Sequence, residues 1–149
     1  MCDKKLYLKL LVKNSNDLNF ASTLLQDSII LVKDIKYLKK AKTFIMLLKR
    51  YMWENLKKNP NEKNKRVKCF LKFERVSKVI SKNINQKSKN KILEFLAIKS
   101  ILRTDETYEI QLYFSGNSTI AIFVEEIDLL LDDIGEPWVT KSTPKHKIY

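Results

Sequence analysis

Hydrophobic and polar residues alternate along most of the chain, which is the pattern typical of β-strands with one buried face. The clearest pair of such runs, Tyr108–Phe114 and Ile120–Val124, is joined by a short segment that contains Gly116. A glycine in a short connection between two alternating runs predicts a β-hairpin. The same alternation, or a β-branched apolar composition, predicts further strands at residues 6–13, 28–32, 35–38, 67–74 and 92–102.

The segment Thr43–Trp53 is apolar on both sides near its middle, which favours a strand covered on two faces and leaves a helix as the alternative. A turn at Lys39 and Lys40 would let residues 35–38 pair with it. Val76, Val79 and Ile80 predict extended or turning structure after the strand at 67–74. The polar stretches 55–65 and 83–91 lack periodicity and are predicted to be loops.

Two segments have helical spacing instead. Leu18, Ala21, Leu24 and Leu25 follow residues that cap helices well, which predicts a short helix over residues 17–26. Near the end of the chain, apolar residues recur with the helical period at Ile127, Leu130, Leu131 and Ile134. Gly135 is placed to end a helix there and Pro137 to prevent its return, so the pattern predicts a C-terminal helix.

The order of these elements predicts an α+β fold, because strands and helices do not alternate as they do around a parallel sheet. We expect a single curved antiparallel sheet or a partly open barrel, compatible with a pleckstrin-homology-like barrel. It would carry a short helix in the N-terminal half and a C-terminal helix. Residues 1–135 would form this single domain, and residues 136–149 a tail packed on it or partly disordered.

Charge is unevenly distributed along the chain, which has 29 Lys+Arg, 17 Asp+Glu and a net charge of +12. Most of the excess lies in residues 57–91. Such an asymmetry indicates a surface for a polyanion or for an acidic protein, with a solvated basic face as the alternative. Lysine far outnumbers arginine, however, and the richness in Lys and Asn is what an A+T-rich genome encodes by default.

A nucleic-acid-binding module would use the basic residues of this segment, with nearby aromatic rings stacking on bases. The scarcity of arginine weakens that interpretation, because the guanidinium fork is the better reader of phosphates and bases. The candidate polyanion-facing residues are Lys65, Arg66, Lys68, Lys72, Arg75, Lys78 and Lys82.

Residues that carry chemistry are scarce. The chain has 1 His and 2 Gly, and it contains none of the usual hydrolase, kinase or dinucleotide-binding motifs. Cys2 and Cys69 have no metal-binding spacing, and they fit a reducing cytosol. We therefore expect no catalytic residues, no cofactor and no metal, and we lean against an enzyme. Charges interrupt every apolar run well short of a membrane span, so we expect a cytoplasmic protein without a membrane partner.

Several short patterns, taken in order, resemble the domain of unknown function 2948, a mostly alphaproteobacterial family. The matching residues are Leu25–Ile29, Asp34, Tyr37, Arg50, Trp53, Glu54, Phe73, Val76, Leu96–Ile98, Val124, Glu125, Ile127, Asp133–Gly135, Trp138, Ser142, Pro144 and His146. The resemblance implies a small cytosolic protein of one domain, and it implies no activity.

The polar and aromatic members of this set are the candidate binding surface: Gln26, Asp27, Arg50, Trp53, Glu54, Trp138 and His146. Our first hypothesis is a non-catalytic binding or adaptor domain whose partner is a protein that docks near the tryptophans and the tail. The alternatives are the nucleic-acid-binding module described above and an enzyme of unrecognised type.

Overall fold

The computed structural model describes residues 8–53 and 64–140 of the chain. These residues hold ten strands, one α-helix and one turn of 3₁₀ helix at Val32–Asp34. The elements are β1 (Lys9–Val12), α1 (Ser15–Leu25), β2 (Ile29–Leu31), β3 (Ile35–Leu38), β4 (Thr43–Tyr51), β5 (Lys65–Phe73), β6 (Val76–Lys82), β7 (Ile92–Leu102), β8 (Tyr108–Phe114), β9 (Ser118–Val124) and β10 (Leu129–Val139).

Helix α1 forms where the sequence predicts it. The Asn14 side chain accepts a hydrogen bond of 2.8 Å from the Asp17 backbone N–H, which satisfies one of the free donors at the helix start. Leu18, Ala21 and Leu25 recur on one face and are buried. This face belongs to the hydrophobic core, and the Ser22 hydroxyl on the same helix accepts a bond from the backbone of β7.

The strands form one antiparallel sheet in the order β1-β10-β5-β4-β2-β7-β8-β9-β6, with β3 pairing with β4 beside β2. The predicted single antiparallel sheet is therefore confirmed. Its two end strands, β1 and β6, do not pair with each other in the described part of the chain, so the sheet is not closed. One hydrophobic cluster joins buried residues from both ends of this order with α1, so the curved sheet surrounds a single core.

The predicted C-terminal helix is wrong. Residues 129–139 form β10, which lies between β1 and β5 and pairs antiparallel with both. Leu129 and Leu131 are fully buried, whereas Leu130 is partly exposed and Ile134 is 40% exposed. The run of three leucines is compatible with the two-residue period of a strand and with the period of a helix. The hydrogen-bond ladders to β1 and β5 decide in favour of the strand. Gly135 has a φ of +76° at an irregularity of the β10–β5 register, where it interrupts the ladder instead of ending a helix.

Other predictions agree with the structure. The β8–β9 hairpin and the β3–β4 pair are confirmed, residues 43–51 form a strand and not a helix, and residues 83–91 form a loop. The loop predicted at 55–65 falls mostly outside the described residues. Residues 136–139, expected in a tail, belong to β10, where Trp138 and Val139 pair with β5.

Asp128 links three parts of the fold just before β10. Its carboxylate accepts bonds of 2.7 Å from Lys13 Nζ, after β1, and from Arg75 Nη2, in the β5–β6 turn. Its backbone carbonyl accepts a third bond from the Glu74 N–H. The hydrogen bond from Lys13, together with the charges of Lys13 and Arg75, lowers the pKa of Asp128 below its ordinary value.

Asp128→Asn is expected to lower the free energy of unfolding at neutral pH, because it removes the charge that both cations face. The loss should be only about 1 kcal/mol, because both cations are largely exposed. The folded pKa lies below the unfolded one, so this contribution is complete above about pH 4 and is lost as the pH falls through the folded pKa. Urea unfolding of wild type and variant across a pH series checks this. A difference that stayed constant from neutral pH to about pH 2 would contradict it.

Candidate functional site

Part of the predicted binding surface meets at the corner between α1 and β2. Trp53 Nε1 donates a hydrogen bond of 3.0 Å to the Gln26 carbonyl, which joins the end of β4 to the end of the helix. Asp27 follows with a φ of +63°, and its N–H donates to the Phe95 carbonyl at 2.8 Å. The chain therefore turns sharply here and is held from two sides.

Arg66 holds the same corner from β5. Its Nη1 donates to the Asp27 carbonyl at 3.2 Å and to the Lys49 carbonyl at 3.1 Å, and the guanidinium carbon lies 5.7 Å from the Tyr51 ring centroid. Burial lowers the pKa of Arg66, and the nearby Asp27 carboxylate opposes this shift. Arg66 was predicted to face a polyanion, but the residue is only 8% exposed and its side chain is bonded to backbone carbonyls.

Arg50 lies on the core side of β4, in line with Phe44, Met46 and Leu48. Its Nε and Nη2 donate to the two carboxylate oxygens of Asp133 at 2.9 and 2.7 Å, and both side chains are 1% exposed. The Leu8 N–H also donates to Asp133 at 3.0 Å. This buried pair links β4 and β10 across β5, which lies between them, and it offers no surface to a partner.

Cys69 lies beside this ion pair and is buried. Burial and the negative charge of Asp133 raise the pKa of the Cys69 thiol to about 12. A thiol with such a pKa stays protonated at neutral pH and is a poor nucleophile. The structure therefore assigns Cys69 to the core, as its position in an alternating run predicts.

Of the three remaining members of the predicted surface, the structure describes only one. Trp138 lies opposite Arg66 in the β10–β5 register and is partly buried. Glu54 and His146 lie outside the described residues. The structure thus brings Gln26, Asp27 and Trp53 together, places Trp138 on the strand beside Arg66, and puts Arg50 in the core.

The predicted polyanion-facing residues lie on β5, on β6 and in the turn between them, and several have partners within the chain. Lys65 and Lys68 lie on β5, where Lys72 also pairs with Glu74 at 3.0 Å. Arg75 pairs with Asp128. Lys78 and Lys82 lie on β6, at the far end of the strand order, and Lys78 is placed over the Phe123 ring.

A cavity of about 730 Å³ lies between β3 and β6, and we name it the edge groove. β3 pairs only with β4, and β6 pairs only with β9, so each strand has an edge without a strand partner in the described part of the chain. The lining residues are Val32, Lys33, Asp34, Ile35, Lys36, Tyr37, Phe44, Val79, Ser81, Ile84, Gln86, Lys89 and Ile120.

Hydrogen bonds close both ends of the edge groove. At one end the Tyr37 hydroxyl donates to the Val76 carbonyl at 2.8 Å, and the Val76 N–H donates to the Lys42 carbonyl at 2.7 Å. At the other end the Lys33 N–H donates to the Lys89 carbonyl at 3.0 Å. The groove is therefore a bounded opening in the wall of the curved sheet.

The edge groove has an apolar interior and a basic rim. Phe44 and Ile120, which are almost fully buried members of the core, line its interior. Lys33, Lys36 and Lys89 are exposed at its rim and form no ion pair with a carboxylate of the described residues. Asp34 is the one acidic residue in the lining. The groove can therefore accept apolar side chains and, at its rim, negative charge.

Sequence reasoning did not find the edge groove. Asp34 and Tyr37 were among the residues that carry the family resemblance, but they were not selected as a binding surface. The local signal was weak, because the groove exists only where two edges distant in sequence face each other. Knowledge of the strand order would have been needed to find it.

The family model described as "Protein of unknown function (DUF2948)" matches residues 8–146. The chain belongs to this family. The resemblance seen in the sequence is thereby confirmed, and the family carries no activity to transfer. No curated protein and no solved structure matches the chain.

The described residues contain neither a cluster of metal-ligating side chains nor a helix that could span a membrane. No three His, Cys, Asp or Glu side chains come close enough together to hold a metal ion in residues 8–53 and 64–140. The one helix within those ranges is too short to cross a membrane. Among the arrangements described above, the edge groove is the one that offers room for a ligand.

Proposed function

We propose that this member of DUF2948 is a non-catalytic protein-binding domain that takes an extended, acidic segment of a partner into the edge groove. The observation that supports this most is the pair of strand edges that face each other across an apolar cavity. An exposed edge is a template for another strand. The proposal keeps the protein partner expected from the sequence. It moves the docking site away from the corner formed by Gln26, Asp27 and Trp53.

An extended peptide suits the groove better than a rigid surface does. Main-chain N–H and C=O groups on a free strand edge supply hydrogen bonds, and alternate side chains of the added strand enter pockets. On β6, Val79 and Ser81 line the cavity, while Lys78, Ile80 and Lys82 do not. A partner strand placed beside β6 would alternate in the same way, with one set of side chains over Phe44 and Ile120.

The charge of the rim favours an acidic partner. Three exposed lysines surround the opening against the single carboxylate of Asp34. Acidic side chains pointing out of the groove would meet this rim, which gives specificity and a faster encounter. The proposed ligand is therefore a strand that alternates apolar and acidic residues.

The nucleic-acid alternative has less support because Arg66 is bonded to backbone carbonyls, and because Lys72 and Arg75 pair with carboxylates of the chain. The cytoplasmic location, the single domain at 1–135 and the pleckstrin-homology-like arrangement stay predictions.

The proposal is tested by fluorescence anisotropy with a labelled peptide of about eight residues, a usual strand length, in which valine and glutamate alternate. We expect saturable binding that is weakened about ten-fold or more by Lys36→Glu combined with Lys89→Glu. Lys78→Glu combined with Lys82→Glu changes the charge equally on the other side of β6, and is expected to have a smaller effect.

Two results would contradict the proposal. One is equal binding of a control peptide that carries backbone N-methyl groups at alternate residues, because that peptide cannot form a full strand ladder. The other is an equal loss of affinity in both charge-reversed variants, because this would indicate general attraction between opposite charges.

A further inference from the structure

A second cavity, of about 340 Å³, lies on the opposite side of β4 from the core, where β2 ends and β3 begins. We name it the lysine pocket. Lys33, Lys49 and Lys68 line it against the single carboxylate of Asp34, and its apolar lining includes Leu31, Leu47 and Ile92. It shares only Lys33 and Asp34 with the edge groove, so the two cavities are separate sites.

Two of these lysines are placed against each other by the sheet itself. Lys49 of β4 and Lys68 of β5 are directly opposite in the antiparallel register, and both are exposed. Like charges directly opposite each other on one face destabilise a sheet. Neither lysine forms an ion pair with a carboxylate of the described residues. A bound anion between them would convert this repulsion into attraction.

The surroundings limit the kind of anion. Leu31, Leu47 and Ile92 give the pocket apolar surface beside the ammonium groups, so a fully hydrated ion would leave that surface unused. The volume is near the lower limit for small-molecule sites, which are about 300–1,000 Å³. We propose that the lysine pocket binds a small amphiphilic anion, with a carboxylate or phosphate between Lys49 and Lys68 and a short apolar chain against the leucines and Ile92.

This inference does not depend on the peptide-binding proposal, because the peptide would occupy the other cavity. It is tested by titrating the ¹⁵N-labelled full chain with hexanoate and, separately, with hexyl phosphate, while amide resonances are followed by NMR. Two matched probes serve as controls: hexanol, which lacks the negative charge, and inorganic phosphate, which lacks the apolar chain.

We expect at least one of the two amphiphilic anions to give saturable shifts at residues 29–33, 47–49 and 67–69. Hexanol and inorganic phosphate should bind about ten-fold more weakly or worse. Lys49→Gln combined with Lys68→Gln should abolish the shifts, and Lys78→Gln combined with Lys82→Gln should keep them.

A stability measurement distinguishes a specific loss of anion binding from the misfolding of a variant. Lys68→Glu places opposite charges across the β4–β5 ladder, so it should raise the Tm of the free protein while it abolishes binding of the amphiphilic anion. The proposal is overturned if neither anion gives saturable shifts, if hexanol or inorganic phosphate binds as well as the amphiphilic anions, or if the Lys49/Lys68 variant binds like the wild type.

Discussion

Replacing Asp133 with Asn is expected to lower the free energy of unfolding by about 3–5 kcal/mol, and so is replacing Arg50 with Met. The first change removes the carboxylate charge that Arg50 faces, and the second leaves the buried Asp133 carboxylate without the guanidinium bonded to it. The guanidinium and the carboxylate form two hydrogen bonds of 2.9 and 2.7 Å, and water cannot replace either partner at this depth. The effect should be among the largest of any single polar substitution in the described chain.

Urea unfolding at neutral pH, followed by circular dichroism, measures this effect. The double variant Arg50→Met with Asp133→Leu is the control, because removing both charges removes the desolvation cost along with the attraction. We expect it to be more stable than either single variant. Single variants that lose less than about 1 kcal/mol would show that the pair is hydrated, and would contradict the geometry described for it.

Leu129→Ala is expected to lower the free energy of unfolding by about 2–5 kcal/mol, because it removes a fully buried side chain from the core. Ile134→Ala, on the outward side of the same strand, should cost about 0.5 kcal/mol or less. The same urea unfolding assay compares the two variants. Both remove apolar atoms from β10, so their difference reports which face of the strand is buried.

This comparison also separates the strand from the helix that the sequence predicted. In that helix, Leu130 and Ile134 belong to the apolar stripe, and Leu129 lies outside it. In the strand, Leu129 and Leu131 face the core. A larger loss of stability for Ile134→Ala than for Leu129→Ala would contradict the strand.

The sequence predicted those parts of the fold whose signals are local. Alternation and a short glycine-containing turn located β8 and β9, and capping residues with helical spacing located α1. β10 was missed because the three consecutive leucines at 129–131 satisfy both periods. The partners that decide between them are β1 and β5, which are distant in sequence.

The candidate site shows the same limit. Gln26, Asp27 and Trp53 lie near one another, and their contacts hold a corner of the fold together. Arg50 was assigned to the binding surface as one of the polar residues that match the family, and the acid that permits its burial, Asp133, is far along the chain. The edge groove needs β3 and β6 to be neighbours in space without pairing, which no local pattern encodes.

The proposed function depends on a partner segment pairing as an added strand with β3 or β6 in the edge groove. Amide hydrogen exchange of the full chain, with and without the alternating valine and glutamate peptide, tests it most directly. We predict slower exchange in Val76–Lys82 or Ile35–Leu38 when the peptide is present, because a free strand edge would gain hydrogen bonds. Saturable peptide binding that leaves exchange in both of these strands unchanged would contradict the claim.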